Sequence, residues 1–281
     1  MRTIERIAPV RDMVREWRQA GETIALVPTM GYLHEGHLRL LDVARARAAH
    51  VVMSLFVNPL QFGPREDLSR YPRDAASDAD KARARGVEIM FSPLADEMYP
   101  GDRTVGVTPL ALAEEWEGAV RPGHFTGVLT VVAKLFNIVQ PDVAVFGQKD
   151  AQQLALVRAM VRDLDFPIEI ATVATAREPD GLAMSSRNSY LDPPSRERAT
   201  VLSRALRAIV GAFVAGVREG TKLEATGREV LNSEPDVQVD YLAVVDASRM
   251  RRVEHAESGA LAIVAARVGA TRLIDNMVLG A

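Results

Sequence analysis

The residues best placed to do chemistry lie in Pro28-Thr29-Met30-Gly31-Tyr32-Leu33-His34-Glu35-Gly36-His37. This segment follows the apolar run Ile24-Ala25-Leu26-Val27 and precedes the helical pattern of Leu38 to Ala44. A strand, a glycine-bearing turn and a helix start make a place for phosphates. Glycine lets the backbone approach a ligand, the first helical N–H groups have no partner in the helix, and the helix dipole favours an anion. His34 and His37 add donors that can bind the charge building on an α-phosphate as it is attacked and pyrophosphate leaves. Taken alone, the pair also fits metal ligation or ordinary polar residues at a helix start. Against metal stand the missing HExxH pattern and the glycine between the two rings.

Three more polar segments follow apolar runs. Asn58-Pro59-Leu60-Gln61-Phe62-Gly63 offers two carboxamides, donor and acceptor together, which suit a small hydroxy acid; an Asn-Pro turn is the plainer reading. In Gly147-Gln148-Lys149-Asp150-Ala151-Gln152-Gln153, Lys149 can neutralise phosphate charge, and Asp150 can cap a helix or help hold a metal. Of Gln152 and Gln153, only one is expected to face a pocket. Asp180-Gly181-Leu182-Ala183-Met184-Ser185-Ser186-Arg187-Asn188 brings hydroxyls and a guanidinium in a polar loop. Such a loop is expected to have few apolar contacts and to close over a triphosphate.

The elements that must position these segments alternate in period. Ile24–Val27, Val51–Val57, Val87–Phe91, Val143–Phe146 and Ile168–Val173 read as strands apolar enough to be buried on both faces. Helical patterns fall at 36–49, 73–85, 127–139 and 150–164. This is the texture of an α/β fold with a doubly wound, Rossmann-like parallel sheet, whose ligands sit beyond the carboxyl ends of strands. After Val173 the texture changes to helices near 194–218 and 222–232 and strands at 237–245 and 261–266. The expectation is a first domain of residues 1–175 and a smaller α+β C-terminal domain of residues 176–281.

Composition narrows the function. The 281 residues are 48% hydrophobic, enough for a sizeable core, and the formal net charge is −3. That charge gives no global pull towards nucleic acid or an anionic membrane, so an anion must be held locally. The absence of cysteine excludes disulfides, Cys-ligated metal and a thiol nucleophile. With a polar N-terminus and no span near the ~20 apolar residues a bilayer requires, a cytoplasmic protein is expected.

In register, these motifs resemble the pantoate–β-alanine ligase family of the HxGH nucleotidyltransferase superfamily. The resemblance extends to Tyr71-Pro72-Arg73, Arg121-Pro122-Gly123-His124-Phe125 and Thr271-Arg272-Leu273-Ile274-Asp275-Asn276 and covers nearly the whole chain. It implies that pantoate attacks the ATP α-phosphate to give pantoyl adenylate, from which β-alanine displaces AMP. It further implies that Met30, Gly31, Tyr32, Leu33, His34, Glu35, Gly36, His37, Gly147, Gln148, Lys149, Asp150, Ala176, Met184, Ser185, Ser186 and Arg187 line ATP. His37 would be the catalytic acid, with His34, Lys149, Ser185, Ser186 and Arg187 assisting. Asn58, Gln61 and Gln153 would hold the small substrates, Asp78 and Asp150 would serve Mg²⁺, the second domain would act as a lid, and the chain would form a homodimer through its first domain. Ala151, where an aromatic often stands, and Arg39, where a small polar residue is usual, depart from the pattern beside the site. The alternative is an HxGH nucleotidyltransferase acting on a different acid or on a phosphate acceptor, which would need a cationic acceptor pocket.

Overall fold

The computed structural model describes residues 1–64 and 66–280. The chain divides into two compact units, Met1–Gly147 with Leu156–Val173, and Gln148–Ala155 with Ala174–Ala281. The change of unit thus falls after Val173, and the turn from Gln148 to Ala155 groups with the C-terminal residues.

The first unit is built on a six-stranded parallel sheet ordered β1-β4-β3-β2-β5-β6. Its strands are β1 (Arg2–Ile4), β2 (Ile24–Thr29), β3 (His50–Leu55), β4 (Ile89–Phe91), β5 (Val143–Gly147) and β6 (Glu169–Val173). The helices are α1 (Ile7–Gln19), α2 (Glu35–Arg47), α3 (Ala75–Ala84), the short α4 (Ala95–Met98) and α5 (Glu117–Val120), and α6 (His124–Val139); α7 (Ala151–Asp163) begins in the other unit. Apolar runs on β2 and β3 are buried on both faces, as parallel strands covered by helices require. β6 departs from that expectation: at the sheet edge, only Ala171 of its five residues is buried. β1 and α1 lie outside the sequence expectation: a three-residue edge strand gives too short a period to read, and Pro9, which reads as a helix breaker, falls in the first turn of α1, where proline is tolerated.

The strand order reverses between β2 and β5, the place where doubly wound sheets bind ligands. β2 pairs with β3 through all six of its residues, but with β5 only at Ala25 and Leu26. On the β5 side the Ile24 N–H donates to the Asp142 carboxylate and the Ile24 carbonyl accepts from the Asp142 N–H, and alternation puts Leu26 and Pro28 on that side too. Pro28 has no N–H to continue the ladder, so the two strands part just before their carboxyl ends.

In the second unit, β7 (Val237–Val245), β8 (Leu261–Val268) and β9 (Thr271–Val278) form an antiparallel sheet ordered β7-β8-β9. Leu202, Leu206 and Ile209 of α8 (Pro193–Val214) and Leu223 of α9 (Gly220–Leu231) pack on it with Leu242, Val244 and Val264. Asp192 caps α8 through the Ser195 N–H, and prolines fill its first turn.

Candidate active site

The loop after β2 is held from inside. Gly31 and Tyr32 both take left-handed backbone conformations, with φ of 84° and 53°. The Gly31 N–H donates to Thr29 Oγ1 (3.3 Å), and those of Tyr32 and Leu33 donate to Oδ2 and Oδ1 of Asp78, each at 2.7 Å. A Cβ at position 31 would stand 2.9 Å from Asp78 Oδ2, so glycine is required there twice over. These three amides face inward, onto Thr29 and Asp78. Asp78, expected among the Mg²⁺ carboxylates, is 1% exposed with both oxygens engaged by the backbone. Its role is to fold the loop.

What the loop presents instead is its pair of imidazoles. His34 Nδ1 accepts from the Gly36 N–H (3.1 Å), and His37 Nδ1 accepts from the His34 N–H (3.3 Å), a reciprocal cap at the start of α2. The ring centroids are 4.1 Å apart. An Nδ1 that accepts must be unprotonated, so each ring carries its proton on Nε2.

The loop after β3 holds the carboxamides. Asn58 is 1% exposed and has no capacity left for a substrate. Its Nδ2 donates to Gln61 Oε1 and the Gly127 carbonyl, both at 3.1 Å, while its Oδ1 accepts from Tyr99 Oη (2.8 Å) and the Leu60 N–H (3.3 Å). The expected substrate ligand is therefore an orienting group: it holds the Gln61 oxygen and turns Nε2 towards Met30 Sδ, 2.9 Å away. Behind Gln61 lies a second support, from residues that carry the family resemblance but whose local sequence signals no role. His124 Nδ1 donates to the Gln61 carbonyl (2.8 Å), and its Nε2 accepts from Arg121 (3.0 Å), which also reaches that carbonyl at 3.2 Å and grips Glu66 through both carboxylate oxygens. Burial, with the Arg121 charge beside it, lowers the His124 pKa to about 4, so the ring is neutral. Burial pushes the Glu66 carboxyl up, but the Arg121 bonds and charge outweigh it and hold the carboxyl below its usual range.

The remaining site residues lie in the second unit, apart from Gly147, which ends β5. The carbonyls of Gln148 and Lys149 each accept from Asn276 Nδ2 at 2.9 Å. Lys149 Nζ stands 4.0 Å from Asp150 Oδ1, and the Asp150 side chain is about half exposed. Gln152 is buried at 4%, and Gln153 is the more open of the two. Residues 176–184 fold as a tight hairpin: the Met184 N–H bonds the Ala176 carbonyl, Arg177 pairs with Ala183, and the Glu178 N–H meets the Leu182 carbonyl. The loop expected to have few apolar contacts is thus packed, with Leu182 and Ala183 buried. Ser185 Oγ accepts from the Arg187 N–H (3.2 Å), which caps the short helix Ser186–Tyr190 and leaves the hydroxyl proton to donate. Among the described residues no group of three or more His, Asp and Glu is arranged to hold a metal ion.

The chain that carries this looped helix start, supported carboxamide and lysine turn matches the family model of pantoate-beta-alanine ligase over residues 2–278. The chain belongs to that family. It is 53% identical over 291 aligned residues to the pantothenate synthetase of Acidobacterium capsulatum, covering 100% of this chain and 97% of the relative. It is 51% identical to that of Desulfitobacterium hafniense, with 98% of each covered. The crystal structure of the Thermus thermophilus enzyme superposes with a TM-score of 0.94 at 48% identity, covering 99% of both chains. The Francisella tularensis ligase, solved with β-γ ATP and β-alanine, superposes at 0.82 with 29% identity, covering 99% of this chain and 97% of that one. The chain is accordingly an ATP-dependent ligase joining pantoate to β-alanine.

Proposed function

We propose that these residues carry out the ligation in two displacements. A pantoate carboxylate oxygen attacks the α-phosphorus of ATP, the bond to the β-phosphate oxygen breaks, and pyrophosphate leaves with the electron pair. The β-alanine amine then attacks the acyl carbon, the bond to the phosphate oxygen breaks, and AMP leaves with one former carboxylate oxygen. No protein nucleophile is needed. The cost is repulsion between carboxylate and triphosphate, and fixed donors offset it.

The observation carrying this reading is the reciprocal imidazole cap, which fixes Nε2–H as the donor on both His34 and His37 at the helix start. His37 Nε2–H stabilises charge on the α-phosphate, with His34 beside it. Lys149, Ser185, Ser186 and Arg187 take the β- and γ-phosphates, and Met30 to Gly36, Gly147, Gln148, Ala176 and Met184 line the nucleotide. Gln61 and Gln153 hold pantoate by their amides, with Asn58 acting through Gln61. Mg²⁺ on the triphosphate would neutralise part of its charge, and the exposed Asp150 carboxylate suits such a metal, since Mg²⁺ prefers substrate phosphates, water and one or two carboxylates.

By the family resemblance the chain forms a homodimer through its first unit, which light scattering would test. A cytoplasmic setting goes with the use of ATP; no helix among the described residues is long and apolar enough to cross a membrane. The chemical sequence is tested with pantoate carrying ¹⁸O in its carboxylate. One label must appear in AMP and none in pyrophosphate. Unlabelled AMP would overturn the adenylate route.

A further inference from the structure

Asp275 and Asn276 lie side by side on β9 and are 4% and 3% exposed, among the apolar residues of the small sheet. Two consecutive buried polar side chains burden a strand unless every polar atom is bonded. Here each reaches back to a segment that the family resemblance assigns to ATP. Asn276 Nδ2 donates to the carbonyls of Gln148 and Lys149, both at 2.9 Å, and its Oδ1 lies 3.4 Å from Gln148 Nε2. The Asp275 carboxylate takes Arg177 in a two-bond grip at 2.7 and 2.9 Å. Arg177 also donates to the carbonyls of Gly181 (3.1 Å) and Asn276 (3.0 Å).

The carboxamide of Asn276 therefore holds the peptide units on both sides of the Lys149 Cα, and this fixes the direction in which the Lys149 side chain leaves the backbone. Arg177 ties the hairpin leading to Ser185 to the same two residues of β9. We propose that Asn276 is a positioning residue for adenylation, which acts through Lys149 by clamping the turn that carries it, with the Asp275–Arg177 pair anchoring the adjoining hairpin. This rests on the assignment of Lys149 to the triphosphate. A side chain serving only the sheet would bond within it, whereas all three contacts of the Asn276 amide lead to the Gln148–Lys149 turn.

The test is a double-mutant cycle on the full-length enzyme with Lys149→Ala, Asn276→Ala and the two combined. It is read as the single-turnover rate of pantoyl adenylate formation across ATP concentrations, with KM for β-alanine measured alongside. Asn276→Ala should slow adenylate formation about 10- to 100-fold, the size expected of misplacing a charge contact by about 1 Å. The β-alanine KM should stay unchanged, and the double variant should be no slower than Lys149→Ala alone. Multiplying effects would overturn the proposal while leaving Lys149 in place. Lys149→Ala at the wild-type rate would overturn both the Lys149 assignment and this inference. Should Asn276→Ala fail to fold, Asn276→Ser keeps one donor, and the same cycle applies to it.

Discussion

Replacing Asp78 by Asn separates two roles for a buried carboxylate beside a nucleotide loop. In the structure the carboxylate accepts the N–H groups of Tyr32 and Leu33 at 2.7 Å each, and so holds the loop with its two successive left-handed residues in place. Hydrogen bonds to a charged group contribute about 1.5–3 kcal/mol each. Asparagine keeps one neutral acceptor and turns an NH₂ towards the other amide, so the net loss is about 2–4 kcal/mol. For a protein of this size that corresponds to a fall in Tm of roughly 3–7 °C. The fall should be the same in EDTA and in Mg²⁺, because the lost bonds belong to the ligand-free loop. Adenylate formation should drop about 10- to 100-fold as His34 and His37 shift, without a change in the Mg²⁺ concentration needed for half-maximal rate. Scanning calorimetry with and without EDTA, and a Mg²⁺ titration of the initial rate, measure both. An unchanged or higher Tm in EDTA, together with a raised Mg²⁺ requirement, would refute the loop-anchor role and make Asp78 a metal ligand.

Other outcomes follow from the same geometry. His37→Ala should lower the adenylation rate about 10²- to 10³-fold, the usual loss for one donor to developing charge, and a wild-type single-turnover rate would remove it from that role. Gln61→Ala should raise KM for pantoate more than KM for ATP, whereas equal changes in steady-state kinetics would make Gln61 a support for its loop only. His124 is held neutral in the fold, its pKa lowered from 6.5 to about 4, so the unfolded chain binds the extra proton first. Its contribution is full above pH 6.5 and is lost as pH falls towards 4, by up to about 3 kcal/mol. Urea unfolding at pH 7.5 and 5 should therefore show a smaller pH loss in His124→Asn than in the wild type; equal losses would contradict it.

Much of this is legible in the sequence because period and punctuation carry it. β2 and β3 read as buried strands, and Gly31 and His34 to His37 read as the turn and helix start. The α+β change after Val173 is equally plain. What stays hidden depends on pairing across distance. Nothing near position 78 says that its carboxylate will fold a loop more than forty residues earlier, and its expected place beside Mg²⁺ comes from the family resemblance alone. Asn58 reads as a substrate ligand because a sequence cannot show that Tyr99, Leu60, Gly127 and Gln61 use up its whole bonding capacity. Arg121, His124, Asp275 and Asn276 stand out as a pattern, but their roles come from long-range bonds that no local period encodes. The loop at 180–188 misleads through composition: it looks polar and free, yet Leu182 is buried in the core of its unit. Pro28 holds a readable signal, a missing N–H on a central strand, whose meaning emerges once β5 is seen to leave the ladder just before it.

The central claim is that this chain forms an acyl adenylate from pantoate before any amine takes part. The direct measurement is exchange of ³²P-pyrophosphate into ATP with pantoate and Mg²⁺ present and β-alanine absent. The two-displacement account requires exchange that depends strictly on pantoate and falls with His37→Ala and Lys149→Ala. Exchange that appears only when β-alanine is added, or that proceeds without pantoate, would contradict it.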